Sequence, residues 1–212
     1  MRGHYMSFPS EEKSVFITSG DKSQQATIAS PFFRSKYYEY EIAYKRAGDI
    51  LVGQALEDAS LFLCVSVYPV TFLYRQFLEL YIKDILLRFD VNFDGNKKPY
   101  CTHDVYPLWH KLLDIVRLKI TDFPEQLVSM DFVDILCATD AYFAEISVLD
   151  NGSMSFRYPD NKAHTENFFK KEMPIDIKNL KDRIDELANI LHLIDETLTN
   201  IQAMEESLMP TD

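Results

Sequence analysis

The run over residues 68–89, YPVTFLYRQFLELYIKDILLRF, constrains the fold more than any other part of the chain. It contains no glycine, and its only proline, Pro69, falls in the first turn of a predicted helix, where a missing N–H is tolerated. Apolar residues occur on every side of this helix, as is typical of a helix buried in a protein core. Several charged residues interrupt the run, so we do not expect it to cross a membrane. The sequence therefore predicts a protein packed around one central helix.

Three charged residues of this helix, Arg75, Glu79 and Lys83, recur at every fourth position and so share one face. Glu79 precedes Lys83, which is the favourable order for an ion pair one turn apart. Two interpretations follow from this polar stripe. It is either a partly buried ion-pair ladder between helices or the floor of a ligand pocket.

Other segments also have the apolar spacing of core-facing helices. They cover residues 32–57, 105–118, 124–148 and 177–201. The last carries apolar residues at alternating steps of three and four, and this seam packs on the bundle, pairs with a second copy or does both. The packing rule for antiparallel helices favours the bundle. Residues 61–70 are either a buried connector or an early start of the central helix. We therefore predict an all-α, antiparallel up-and-down bundle of about five helices over residues 32–208, after a flexible tail over residues 1–31.

Composition excludes several classes of protein. Only six glycines occur, which argues against an all-β fold or a glycine-rich nucleotide loop. A net charge of −11 is unsuited to a passive nucleic-acid coat. Three scattered cysteines form no disulfide framework, and the N-terminus lacks an apolar signal segment. We expect a cytoplasmic protein with no cofactor and no membrane association.

Metal binding is not expected either. Residues 90–95 follow the first half of a calcium loop, D-x-N-x-D-G, but Cys101 stands where the bidentate glutamate belongs. An exposed turn is therefore favoured there. Cys101 and His103 form half of a zinc site without a second half.

Two short polar segments remain as candidate sites. His103 and Asp104 stand at a predicted helix start, where they either cap the helix or contribute to a site. Arg157 and Tyr158 lie in the segment FRYP after a turn. An arginine on a short rigid segment is suited either to clamping a carboxylate or to binding phosphate, and the residues leave both interpretations open.

The order FLYRQFLELYIKDILL, THDVYPLWHKLL and FRYP resembles the HEPN superfamily, and in particular bacterial HEPN-like proteins with E-L-x-x-K, H-D-x-x-x-L-W and F-R-Y-P segments. The resemblance implies a bundle of four to five helices that is usually dimeric. It also implies a bacterial defence, toxin–antitoxin or stress system, with a protein partner encoded nearby. Many such proteins are metal-independent ribonucleases, in which an arginine and a histidine, with four to six residues between them, activate an RNA 2′-OH.

Only Arg157 and His164 have that spacing in this chain. Two functional hypotheses follow, and whether the protein is an enzyme stays open between them. The preferred one is a HEPN-like binding or dimerisation module that takes a nucleotide or RNA through a polar cluster. The residues of that cluster are Arg75, Glu79, Lys83, His103, Asp104, Arg157 and Tyr158. The alternative is an endoribonuclease toxin that uses Arg157 and His164 at a dimer interface.

Overall fold

The computed structural model describes residues 23, 25–26, 35, 37–58, 61–94, 96–97, 100–121, 130–150 and 152–208. The chain divides into one unit over Met1–Phe32 and another over Phe33–Asp212. Only residues 23, 25 and 26 of the first unit are described. The predicted tail over residues 1–31 therefore lies almost entirely outside the described residues.

The described residues form five helices and no strand. These helices are α1 (Tyr38–Glu57), α2 (Leu61–Phe89), α3 (Val105–Thr121), α4 (Met130–Leu149) and α5 (Ile177–Leu208). A single isolated bridge pairs Asp160 with Asn167 in the segment between α4 and α5. The prediction of an all-α bundle is confirmed. The predicted start of the fourth helix at residue 124 lies outside the described residues.

Helix α2 is the centre of the bundle and packs against α1, α3 and α5. Residues 61–70 are an early start of this helix, so Pro69 lies inside it rather than in its first turn. Between Tyr74 and Leu86 nearly every side chain is buried, whether apolar or charged. The prediction of a helix buried on all sides is confirmed for this half of α2.

The first half of α2 is not buried in this way. Leu61, Val65 and Tyr68 are 76%, 49% and 50% exposed. An apolar pattern indicates that a helix face will be covered, but it does not say whether the same chain covers it. Among the described residues, α2 is also the one helix that is long and apolar enough to cross a membrane. Core helices of soluble proteins often meet the same criteria of length and hydropathy, and 33% of the apolar window in α2 is buried in the bundle.

The apolar seam of α5 lies in the core of its own chain, as the preferred interpretation expects. Leu180 is half-buried and the other seam residues are buried, namely Ile177, Ile184, Leu187, Leu191, Ile194, Leu198 and Ile201. Asp176 caps the start of the helix, because its Oδ1 accepts the backbone N–H of Asn179 at 2.9 Å. Bundle packing therefore accounts for the regular spacing of α5.

Helices α1 and α2 approach closely at Gly48. A Cβ atom added there would lie 2.6 Å from the Tyr74 ring, and the Tyr74 hydroxyl holds that ring in place by donating to Asp49 Oδ1 at 2.8 Å. Gly48→Ala should therefore lower the free energy of unfolding by about 1–3 kcal/mol, although alanine is the better helix former.

Gly53 on the same helix is the matched control, because nothing lies within 4 Å of a Cβ added there. We expect Gly53→Ala to raise the free energy of unfolding by roughly 0.5–1 kcal/mol. Urea unfolding of both variants measures the difference. Equal stabilisation by the two substitutions would contradict the close contact at Gly48.

Candidate functional site

The polar stripe of α2 forms a buried charge network centred on Glu79. Arg75 Nη1 donates to Glu79 Oε2 at 3.0 Å, and Lys83 Nζ donates to Glu79 Oε1 at 2.7 Å. His103 Nδ1 lies 3.0 Å from the same Oε1. Because a carboxylate oxygen accepts, we assign the donating hydrogen to His103 Nδ1. Three positively polarised groups thus surround one carboxylate. We call Arg75, Glu79, Lys83, His103 and Asp150 the Glu79 network.

Burial decides what this network can contact. Arg75 and Glu79 are 2% and 1% exposed, whereas the ring of His103 is largely exposed. A buried carboxylate needs partners inside the protein, and Arg75 and Lys83 supply them. The arrangement is therefore an ion-pair ladder along α2, and His103 links it to the start of α3.

Asp150, directly after α4, completes the network from a second direction. Its Oδ2 lies 3.6 Å from Arg75 Nε, and its Oδ1 accepts the backbone N–H groups of Met154 and Ser155 at 2.8 Å each. The Asp150 side chain thus stabilises the turn after α4 and also lies beside Arg75 of α2. Nothing in the spacing of Asp150 from Arg75 along the sequence could link the two.

Asp104 acts as a helix cap. Its Oδ1 accepts the backbone N–H of Tyr106 at 3.1 Å and the hydroxyl of Ser147, on α4, at 2.7 Å. Thr102 Oγ1 in turn accepts the backbone N–H of Asp104 at 2.9 Å. The side chain therefore fixes the start of α3 and its packing against α4, which matches the capping interpretation of this residue.

Arg157 and Tyr158 lie apart from the contacts of the Glu79 network. Both are exposed, whereas the preceding Phe156 is buried, because the chain turns at residues 155–157. The Arg157 guanidinium lies 5.5 Å from the ring centroid of Phe72 and 5.3 Å from that of Tyr158. Its position is that of an exposed cation over two aromatic rings.

His164 lies in the same connection between α4 and α5, not on a helix. Its φ is 55°, which is uncommon for a residue other than glycine. Its Nδ1 lies 2.9 Å from Asp160 Oδ2, and the ring is exposed. No described contact joins His164 to Arg157.

A second buried charge network was not predicted from the sequence. Arg88 Nε donates to the buried Asp84 Oδ2 at 3.2 Å, and Arg88 Nη1 donates to Asp195 Oδ1, on α5, at 2.5 Å. Burial raises the pKa of the Tyr37 hydroxyl, and the negative charges of Glu79 and Asp84 raise it further. Tyr37 therefore lies near both networks. The spacing of Asp84 and Arg88 could have indicated their pair, but not its partner on α5.

The segment that resembles a calcium loop uses its carboxylates internally. Asp90 accepts the hydroxyl of Tyr100 and, at 2.9 Å, the backbone N–H of Asn92. Burial raises the pKa of Asp90, but these hydrogen bonds and the nearby Lys111 outweigh it and hold the pKa below its usual value. Among the described residues no group of three His, Cys, Asp or Glu side chains could hold a metal ion.

Comparison with known proteins adds no further assignment. No family model, curated protein sequence or solved structure matches the chain. Over the residues that it describes, the structure defines an all-α helical bundle with two buried charge networks, an exposed apolar face on α2 and an exposed loop that carries Arg157 and His164.

Proposed function

We propose that the protein is a HEPN-like helical binding module of a bacterial defence, toxin–antitoxin or stress system, and that it pairs with a second copy through the first turns of α2. The HEPN-like system rests on the resemblance of the sequence, and the observation that carries the pairing is an exposed apolar seam. Leu61, Val65, Tyr68 and Phe72 recur at steps of four, three and four, and the first three are about half exposed or more. We call these residues the α2 seam.

The geometry of the α2 seam favours another helix as its occupant. Steps of three and four place side chains in one row along a helix, and two such rows interlock when helices pair. Because a second copy presents the same row, the contact is self-complementary about a two-fold axis. A homodimer built on α2 follows from this reasoning, and we expect it in the cytoplasm, as the sequence predicts.

Charge also favours a second copy at this position. The chain carries a net charge of −11, so two copies repel each other over most of their surface. Between Leu61 and Tyr74, however, α2 contains no charged residue. The α2 seam carries no negative charge, so it is where two acidic chains can approach at the lowest electrostatic cost.

Light scattering coupled to size-exclusion chromatography tests the proposal. We expect the wild-type protein to elute with twice the mass of one chain and to dissociate on dilution. A mass of one chain at every accessible concentration would refute it. Elution with lipid or detergent instead would indicate that the α2 seam contacts a membrane and would equally contradict pairing.

A metal-independent endoribonuclease is the second candidate function, and it is supported by the contact between Asp160 and His164. A carboxylate on Nδ1 fixes the imidazole tautomer and leaves Nε2 available to take a proton from an RNA 2′-OH. Arg157, exposed on the same loop, is the matching group for the phosphate.

His164→Ala tests the nuclease, and His192→Ala is its matched control. His192 is likewise an exposed histidine beside a carboxylate, with its Nε2 3.3 Å from Glu196 Oε1. A nuclease predicts RNA cleavage by the purified wild type that disappears in His164→Ala and persists in His192→Ala. Intact RNA with folded wild-type protein would exclude this candidate.

A further inference from the structure

A cavity of about 710 Å³ lies between α2, α4, α5 and the segment before α5. Its volume is within the usual range of small-molecule sites, roughly 300–1,000 Å³. Most of the wall is apolar and includes Ile146, Leu149, Phe156, Leu180 and Ile184. Such a wall suits the hydrocarbon part of a ligand.

One end of the cavity is polar, because Thr71 and Arg75 line it from successive turns of α2. The buried Arg75 uses Nη1 to hold Glu79, but within the described residues its Nη2 has no hydrogen-bond partner. Thr71 Oγ1 is likewise buried without one. Buried donors of this kind are costly to leave unpaired, so they indicate an acceptor supplied by a ligand.

We propose that this cavity binds a small amphiphile with a single carboxylate, whose oxygens accept from Arg75 Nη2 and Thr71 Oγ1 and whose apolar tail lies between α4 and α5. A carboxylate has two acceptor oxygens on one planar group, so one can accept from the Arg75 guanidinium and the other from the Thr71 hydroxyl. The site is separate from the α2 seam, so the proposal goes beyond pairing and does not depend on it.

The charges around the cavity favour a ligand with one negative charge over one with several. Asp150 lies 3.6 Å from Arg75, while Glu145 and Asp176 also line the cavity. Arg75 and Arg183 are the two guanidinium groups in the wall, so its carboxylates outnumber its cations by one. A nucleotide or other polyphosphate would place several negative charges near these three carboxylates. A monocarboxylate requires only the donors at the α2 end.

Titration calorimetry with octanoate tests the proposal on the full chain. We expect saturable binding of one octanoate per chain. Octan-1-ol, which has the tail without the charge, should bind at least tenfold more weakly, and acetate, which has the head without the tail, should not bind measurably. Octyltrimethylammonium that binds as tightly as octanoate would overturn the proposal, because the site would then select a cation through its carboxylates.

Thr71→Val removes the hydroxyl and keeps the shape, without touching the Arg75–Glu79 pair. It should weaken octanoate binding about tenfold, as expected for a lost hydrogen bond to a charged group. Thr139→Val is the matched control, because that hydroxyl bonds its own helix at the Ile135 carbonyl, at 2.7 Å, and should leave binding unchanged.

Asn179→Trp places a large side chain at an exposed position of the cavity wall, where loss of folding is not expected. It should abolish octanoate binding with no change in unfolding temperature in the absence of octanoate. Undetectable octanoate binding to the wild type would overturn the proposal, as would equal affinities of Thr71→Val and Thr139→Val or unaltered binding by Asn179→Trp.

Discussion

Replacing Glu79 with alanine should lower the free energy of unfolding by about 3–5 kcal/mol, because it leaves buried cations without their shared carboxylate. Arg75 Nη1 and Lys83 Nζ both donate to Glu79, and Arg75 is 2% exposed. Asp150 offers Arg75 only a contact of 3.6 Å, which is too long for a hydrogen bond. Urea unfolding followed by circular dichroism measures the loss.

Asp182→Ala is the matched control for Glu79→Ala. Asp182 also pairs with a lysine one turn away, Lys178, at 2.6 Å, but both side chains are exposed. An exposed pair of this kind contributes about 0.2–1 kcal/mol, since water solvates both charges. Losses of similar size in the two variants would contradict a structural role for the Glu79 network.

Val65→Glu should convert the proposed dimer into a monomer and so halve the mass measured by light scattering. The substitution places a negative charge in the middle of the α2 seam, and two copies would bring two such charges together. Val65 is 49% exposed, so the same change should cost the single chain little stability.

Val91→Glu is the control for this prediction. Val91 is almost fully exposed in the turn after α2, so the same substitution changes the net charge equally and also replaces an exposed valine, while leaving the α2 seam intact. It should keep the wild-type mass. A dimer that survives Val65→Glu, or one that both variants disrupt equally, would argue against the α2 seam as the contact.

The sequence predicted those features that depend on spacing along one helix. Arg75, Glu79 and Lys83 could be placed on one face because four residues make about one helical turn. The α5 seam and the cap at Asp104 follow from similarly local rules. Each of these predictions needs no knowledge of what lies opposite the helix.

Features that depend on a distant part of the chain were not predictable in this way. Asp150 contacts Arg75, and Asp195 contacts Arg88, only because loops and helices bring them together. Arg157 was expected beside the Glu79 network, but the turn at residues 155–157 buries Phe156 and leaves Arg157 exposed.

The exposure of the first half of α2 was also not predictable, because it depends on what packs against the helix. Its apolar residues predict a covered face, and an identical pattern arises whether the cover is the same chain or another one. The resemblance to HEPN-like proteins, with the pairing and ribonuclease activity that it implies, stays a prediction that the experiments above address.

Hydroxyl-radical footprinting of the wild-type protein at several concentrations tests pairing through α2 most directly, because it reports the solvent exposure of individual side chains. We predict that Leu61, Val65 and Tyr68 are protected at high concentration and become reactive on dilution. Tyr40, an exposed aromatic residue on α1, should react equally at all concentrations. Reactivity of the α2 seam that is high and independent of concentration would contradict the proposed pairing.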